Sequence, residues 1–203
     1  MNTHASATTR PDYHQDSDAT DIFGFWLYIM TDCILFASLF ATFLVLHHPG
    51  AVGPSLKPFI DLPYVLIETF FLLASNFTYC LAIFGINKNK LPALIFWLVL
   101  TFILGVGFVI MEVREFIYLS AENYAWNVSG SASAFFTLVG THGFHVTMGL
   151  LWILIMIIQL PILKINRNTA RRMVYLGLFW NFLDIVWIFL FTIVYLMGVI
   201  LYE

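Results

Sequence analysis

Charge is scarce in this sequence. Only 10% of its 203 residues are Asp, Glu, Lys or Arg, while 61% are hydrophobic. A soluble domain carries about 25% charged residues, so most of the surface of this chain must face lipid. The net charge of −3 is too small to argue for nucleic acid or any strongly charged partner. Cysteine is nearly absent. Cys33 and Cys80 stand singly in separate apolar runs with no C-x-x-C spacing, which excludes a disulfide framework and a thiolate zinc site. Both read as small core residues. No segment repeats another, and the number of apolar runs is odd, which argues against the paired-repeat design of secondary transporters.

The only long polar stretch is at the start. "MNTHASATTRPDYHQDSDAT" carries three Asp, two His and one Arg and has no apolar face. It is expected to be a disordered polar tail over 1–20. It lacks the basic start, short apolar core and small-residue cleavage site of a signal peptide. After it, five runs are each long enough to cross a bilayer as a helix of about 20 residues. They are expected over 22–46, 62–86, 91–117, 132–162 and 173–201, separated by turn-forming stretches such as "HHPGAVGPSLKPFID" and "NKNKLP". The fold class is therefore all-α, a five-helix transmembrane domain over 21–203.

Basic residues set the expected orientation. Lys88 and Lys90 lie between the second and third runs, and Lys164, Arg167, Arg171 and Arg172 between the fourth and fifth. Those loops share a side with the N-terminal tail. The opposite side has Lys57 and, at a helix end, Arg114. The positive-inside rule then puts the N-terminus in the cytoplasm and the C-terminus outside, in the periplasm. Tyr118, Tyr124 and Trp126 would sit at the outer interface, where amphipathic rings are favoured.

Six ionisable groups fall at membrane depth: Asp32, Glu68, Glu112, His142, His145 and Asp184. Each charge would cost about 2.5–3.5 kcal/mol at the bilayer centre, so they must pair between helices or stay neutral. Asp32 and Asp184 lie at one level, but two carboxylates side by side repel, so each is expected to have its own partner, such as Asn181 or a backbone group. Glu68, Glu112 and His142 lie in the outer half, and a cluster of the three is expected. In the fourth helix Phe135, Leu138, His142, His145, Gly149 and Trp152 share one face, and Gly140, Gly143 and Gly149 let a neighbouring backbone come close. In the fifth, Gly177, Asn181, Asp184, Ile188, Phe191 and Tyr195 do the same.

A metal site is not expected. A di-metal bundle centre needs Glu-x-x-His on two helices. The chain has "EVRE" and "HGFH" but no Glu-x-x-His. A dinuclear copper site would need two close cysteines.

The motifs together resemble one family. "GTHGFHV" in the fourth helix and "WNFLDIVWIFLFTIVYLMG" in the fifth look like subunit III of the haem-copper respiratory oxidases. "MTDCILF" in the first places Asp32 at a position that is acidic in the family, and "MEVREF" in the third places Glu112 and Glu115 at another acidic pair. One residue departs from the pattern: where the family reads W-H-F-x-D-x-V-W, this chain has Asn181, which hydrogen-bonds but does not titrate near neutrality. Five helices make the chain similar to the quinol oxidases, especially the cytochrome bo type, although some bacterial cytochrome c oxidases also have five-helix third subunits.

The resemblance implies a non-catalytic subunit of a proton-translocating terminal oxidase in a bacterial inner membrane. It implies no cofactor in this chain, with haem and copper in subunit I, and structural phospholipids as further partners. It implies a V-shaped packing with helices one and two set against the rest, and a supporting role for subunit I and for proton uptake over many turnovers. The intramembrane polar or proton-linked candidates are Asp32, Glu68, Glu112, Glu115, His142, His145, Asn181 and Asp184. Two other classes stay open on the residues alone: an independent ion or solute carrier, which internal symmetry or broken helices would favour, and a membrane di-metal oxidase, which the missing Glu-x-x-His pairs oppose.

Overall fold

A computed structural model describes residues 13–47, 61–87, 91–121, 126–163 and 166–196. They form five helices: α1 (Tyr13–Leu46), α2 (Leu62–Asn87), α3 (Leu91–Ala121), α4 (Gly130–Leu163) and α5 (Arg167–Leu190), the last continued by a π-helical turn, Phe191–Leu196. All five are long and apolar enough to cross a membrane. Lipid offers no hydrogen bonds to the backbone, so each apolar run must satisfy its own N–H and C=O groups, and the helix does so within one segment.

Each helix starts where local chemistry allows. Pro63 and Pro92 stand in the first turns of α2 and α3, where a missing N–H costs nothing. The hydroxyl of Ser129 accepts from the Ala132 N–H at 3.1 Å and caps α4. α1 is described from Tyr13, so the stretch read as a polar tail enters the helix there, and residues 1–12 lie outside the described residues. α4 and α5 begin earlier than their apolar runs because a helix can extend into the interface, where polar side chains meet water.

α2 packs along α3, α3 on α4, α4 on α5, and α5 back on α2, closing a four-helix ring. α1 lies outside that ring against α4, with a lesser contact to α5. Helices one and two therefore do not pair against the rest, contrary to the packing the resemblance implies. The reason lies in their faces: α2 turns Ser75, Asn76, Thr78 and Tyr79 towards α3 and α5, while the buried polar group of α1 is Asp32, which faces α4.

The core is aromatic. Trp180, Trp187, Tyr79 and Tyr195 are among its largest fully buried side chains. Trp180 fits because two glycines leave room for it. A Cβ on Gly149 would stand 2.8 Å from its ring, and one on Gly105 would stand 3.2 Å from the ring and 2.6 Å from Leu150. Tyr79 donates to the Met173 carbonyl at 2.7 Å and ties α2 to α5. Large apolar side chains such as Phe70, Phe77 and Ile34 point outward, as lipid-facing residues do. Cys33 is exposed on α1 and Cys80 is half-buried, so Cys33 faces outward rather than into the core. Trp126 and Tyr118 are exposed near the α3–α4 connection; Tyr124 lies outside the described residues.

Candidate functional site

The buried polar side chains gather in three places. The first joins α1 to α4. Asp32 Oδ1 lies 3.8 Å from His145 Nε2. On its other edge, His145 Nδ1 is 2.7 Å from the Thr141 carbonyl. A carbonyl only accepts, so Nδ1 carries a proton. Nε2 then holds a second proton only if the ring is cationic, and the Asp32–His145 contact is an ion pair only in that state.

The second place lies between α2 and α5. Asn76 Nδ2 donates to Asp184 Oδ2 at 3.0 Å. Asn181 instead donates to the Gly177 carbonyl of its own helix at 2.9 Å. The partner of Asp184 is thus a residue of α2 and not Asn181, which spends its donor one turn back. Asn76 was legible as a polar residue inside "LLASNFTYC", but its pairing across more than a hundred residues was not. Beside it, Ser75 donates to the Thr101 carbonyl at 3.1 Å, and the hydroxyls of Thr78 and Thr101 meet at 2.9 Å.

The third place holds three carboxyls. Glu68 of α2 is 0% exposed, Glu112 of α3 is 3% and Glu115 of α3 is 7%. Glu68 lies close enough to both others for their charges to interact. Tyr195, in the π-helical turn, donates to Glu115 Oε2 at 2.9 Å. Glu68 has no hydrogen-bond partner on either oxygen among the described residues, and Glu112 has none on Oε1. Nearby, Trp187 Nε1 donates to Thr69 Oγ1 at 3.0 Å and Tyr64 donates to the Met111 carbonyl at 3.1 Å.

His142 does not join these carboxyls. It is fully buried among rings, stacked on Trp187 at 5.3 Å and met edge-on by Phe108 at 6.1 Å and Phe36 at 6.3 Å. Neither ring nitrogen has a hydrogen-bond partner among the described residues. The expected Glu68–Glu112–His142 cluster is replaced by Glu68, Glu112 and Glu115. The reason is rotation about α4: His142 turns to the α5 aromatics, while the backbone of Gly143 meets Glu112, whose Oε2 would stand 2.7 Å from a Cβ there. Among the described residues, no group of three or more His, Cys, Asp or Glu side chains could hold a metal ion.

This arrangement ties helices together and holds protonatable groups in the membrane. The family model for cytochrome c oxidase subunit III matches residues 6–199. The chain is 51% identical over 187 residues to cytochrome bo(3) ubiquinol oxidase subunit 3 of Pseudomonas aeruginosa, covering 92% of this chain and 90% of the relative. It is 38% identical over 195 residues to quinol oxidase subunit 3 of Bacillus subtilis, covering 96% of each. It is 41% identical over 177 residues to cytochrome c oxidase subunit 3 of Bacillus sp. strain PS3, covering 87% of this chain and 86% of the relative.

Proposed function

Because this chain belongs to the cytochrome c oxidase subunit III family, we propose that it serves as the third, non-redox subunit of a proton-pumping terminal quinol oxidase. In that complex quinol is oxidised and oxygen is reduced to water on other subunits, with haem and copper in subunit I. The observation that carries the quinol donor is the 51% identity, over 92% of the chain, to a ubiquinol oxidase subunit. The match to a cytochrome c oxidase subunit at 41% favours cytochrome c as the second reading.

A supporting role agrees with how the buried polar groups are used. Asn76 and Asp184, Tyr195 and Glu115, and Asp32 and His145 each bridge two helices. Such bridges hold a bundle in one packing. α1 is the natural flank for subunit I: it lies outside the four-helix ring and leaves Phe23, Met30 and Ile34 exposed. Phospholipids fill the remaining outward surface. The chain sits in a bacterial inner membrane with its N-terminus in the cytoplasm. The ion pair of Asp21 with Arg171 at 3.6 Å supports placing the starts of α1 and α5 on one side, together with the basic loops.

The test is purification through a tag on this chain. A haem-containing complex that oxidises ubiquinol is expected; turnover with cytochrome c and not with quinol would replace the donor. Reporter fusions after Lys90 and after Glu203 check the topology, and a cytoplasmic signal from the second would reverse it.

A further inference from the structure

A groove runs along the outer face of α3 and α4, and a buried carboxyl forms part of its wall. The recess has a volume of about 210 Å³ and is lined by Glu112, Phe116, Gly140, Gly143, Phe144 and Thr147, among others. Two of its lining side chains, Val113 and Phe144, are exposed on the surface. A second recess of about 430 Å³ shares Val113 and Phe116 with it and continues past Ile117 to Ala121 at the end of α3. Glu112 is 3% exposed, yet its Oε1 has no hydrogen-bond partner among the described residues. Oε1 is closed off from the groove, so a molecule there would meet the small exposed remainder of the carboxyl and lower the cost of burying this polar group.

We infer that this groove binds the ring of a quinol or quinone from the membrane, with Glu112 as its hydrogen-bonding partner; the inference rests on the quinol-oxidase reading above. Depth narrows the ligand. Glu112 is six residues from the midpoint of the 31-residue α3, or about 9 Å at 1.5 Å per residue. The hydrocarbon half-thickness is about 15 Å. A phosphate or ammonium headgroup belongs outside that boundary, whereas an uncharged ring with hydroxyl or carbonyl groups is at home inside it. Size narrows it further. Sites for drug-sized ligands span about 300–1,000 Å³, so 210 Å³ holds a single substituted ring and nothing larger.

The chemistry also fits. A carboxyl accepts from the hydroxyl of a quinol, and in its protonated form donates to the carbonyl of a quinone. Both redox forms thus find a partner, and no electron transfer is involved. Gly140 and Gly143 keep one wall of the groove open. An added Cβ at Gly143 would stand 2.7 Å from Glu112 Oε2, so the carboxyl sits where it does because that position has no side chain. Phe116 and Phe144 supply ring surfaces beside it. An isoprenoid tail would leave past Val109 and Thr147, towards the apolar middle of the bilayer. The subunit would then hold quinol beside the oxidase and raise its local supply.

The experiment uses the whole complex in nanodiscs and an azido-ubiquinone photoprobe with a short isoprenoid tail. Labelled peptides are mapped in the unmodified complex, in Gly140→Leu and in Glu112→Leu, each checked for an intact haem spectrum. A Cβ at Gly140 makes only ordinary contact, 3.6 Å from Phe116, so the position accepts a side chain, and the haem spectrum checks that the leucine variant assembles. Labelling of 109–116 and 140–147 is expected. It should be displaced by unlabelled ubiquinol and not by added phospholipid. It should vanish in Gly140→Leu and fall about tenfold in Glu112→Leu, as for one lost hydrogen bond at the upper end of its range. Labelling confined to other subunits, or equal in all three complexes, would overturn the site, as would displacement by phospholipid or crosslinks that show another polypeptide seated in the groove. A complex that turns over cytochrome c and no quinol would overturn the donor assignment and this site with it.

Discussion

Tyr195 and Glu115 meet at 2.9 Å, eighty residues apart in the chain, because α5 ends in a π-helical turn. Widening the helix over Phe191–Leu196 alters the direction in which Tyr195 points. Its hydroxyl reaches the one carboxyl of the glutamate cluster that takes a hydrogen bond from α5. Tyr195→Phe should therefore lower the thermal stability of the complex. In membranes such bonds couple by about 0.6 kcal/mol, and by up to about 1.7. A double-mutant cycle with Glu115→Leu should recover a coupling in that range. Strict additivity of the two changes would show that the contact carries no energy.

Asn76→Leu should be more damaging than its volume suggests. It removes the donor to Asp184 Oδ2 and leaves a carboxylate between α2 and α5 without its partner. The cost of orphaning such a group is about 1–3 kcal/mol, and more when it is charged. Asp184→Asn on the same background should restore part of the loss, since the amide carries less charge to desolvate. The measurement is the yield of assembled complex and its thermal inactivation midpoint; no rescue by the second change would count against the pairing.

Gly149→Ala is expected to destabilise by about 1–3 kcal/mol, the usual range for overpacking. The new methyl would stand 2.8 Å from Trp180, whose ring is held on the far side by Gly105. Combining Gly149→Ala with Trp180→Phe should relieve the clash and give a complex more stable than Gly149→Ala alone.

His47 gives a pH dependence that can be read with its sign. The residue follows α1, stacks on Phe43 at 5.0 Å and shares a hydrogen bond of 2.6 Å with Ser131 of α4. Burial pushes its pKa below the ordinary 6.5. Below about pH 6.5 the unfolded chain thus binds more protons than the folded one. The contribution of this contact is fully present above that pH and is lost as pH falls through the lower folded value. Thermal inactivation should worsen between about pH 7.5 and about pH 5.5, and His47→Gln should flatten that slope. An unchanged slope in the variant would assign the pH effect to other groups.

Loss of the whole subunit should act on lifetime before it acts on chemistry. Binding to the folded complex stabilises it by mass action. An oxidase stripped of this chain should keep its haem spectrum and near-normal initial quinol oxidation, and inactivate faster under sustained turnover. Loss of a haem band from assembled complexes, or an undiminished lifetime, would argue against a supporting role.

The apolar runs of the sequence determined that the chain forms five helices long and apolar enough to cross a membrane. Lipid forces each long apolar run to satisfy its own backbone, so run length and helix number follow from sequence without reference to any neighbour. The same constraint singled out six ionisable residues, Asp32, Glu68, Glu112, His142, His145 and Asp184, as the ones to watch, since polar groups inside apolar runs are costly wherever they lie. Their partners could not be read this way. Asp184 pairs with Asn76, 108 positions away, and Tyr195 with Glu115, 80 away. Both depend on helix rotations to which every packed residue contributes. A small rotation of α4 gives His142 to Trp187 and gives the backbone of Gly143 to Glu112, and residues at equal depth do not reveal which of them will face each other. The packing order, with α1 outside a ring of the other four, was likewise decided by the fit of Trp180 between Gly105 and Gly149 and of Tyr79 against Gly177. Depth is a one-dimensional property written along the chain, while facing is set only when whole helices pack.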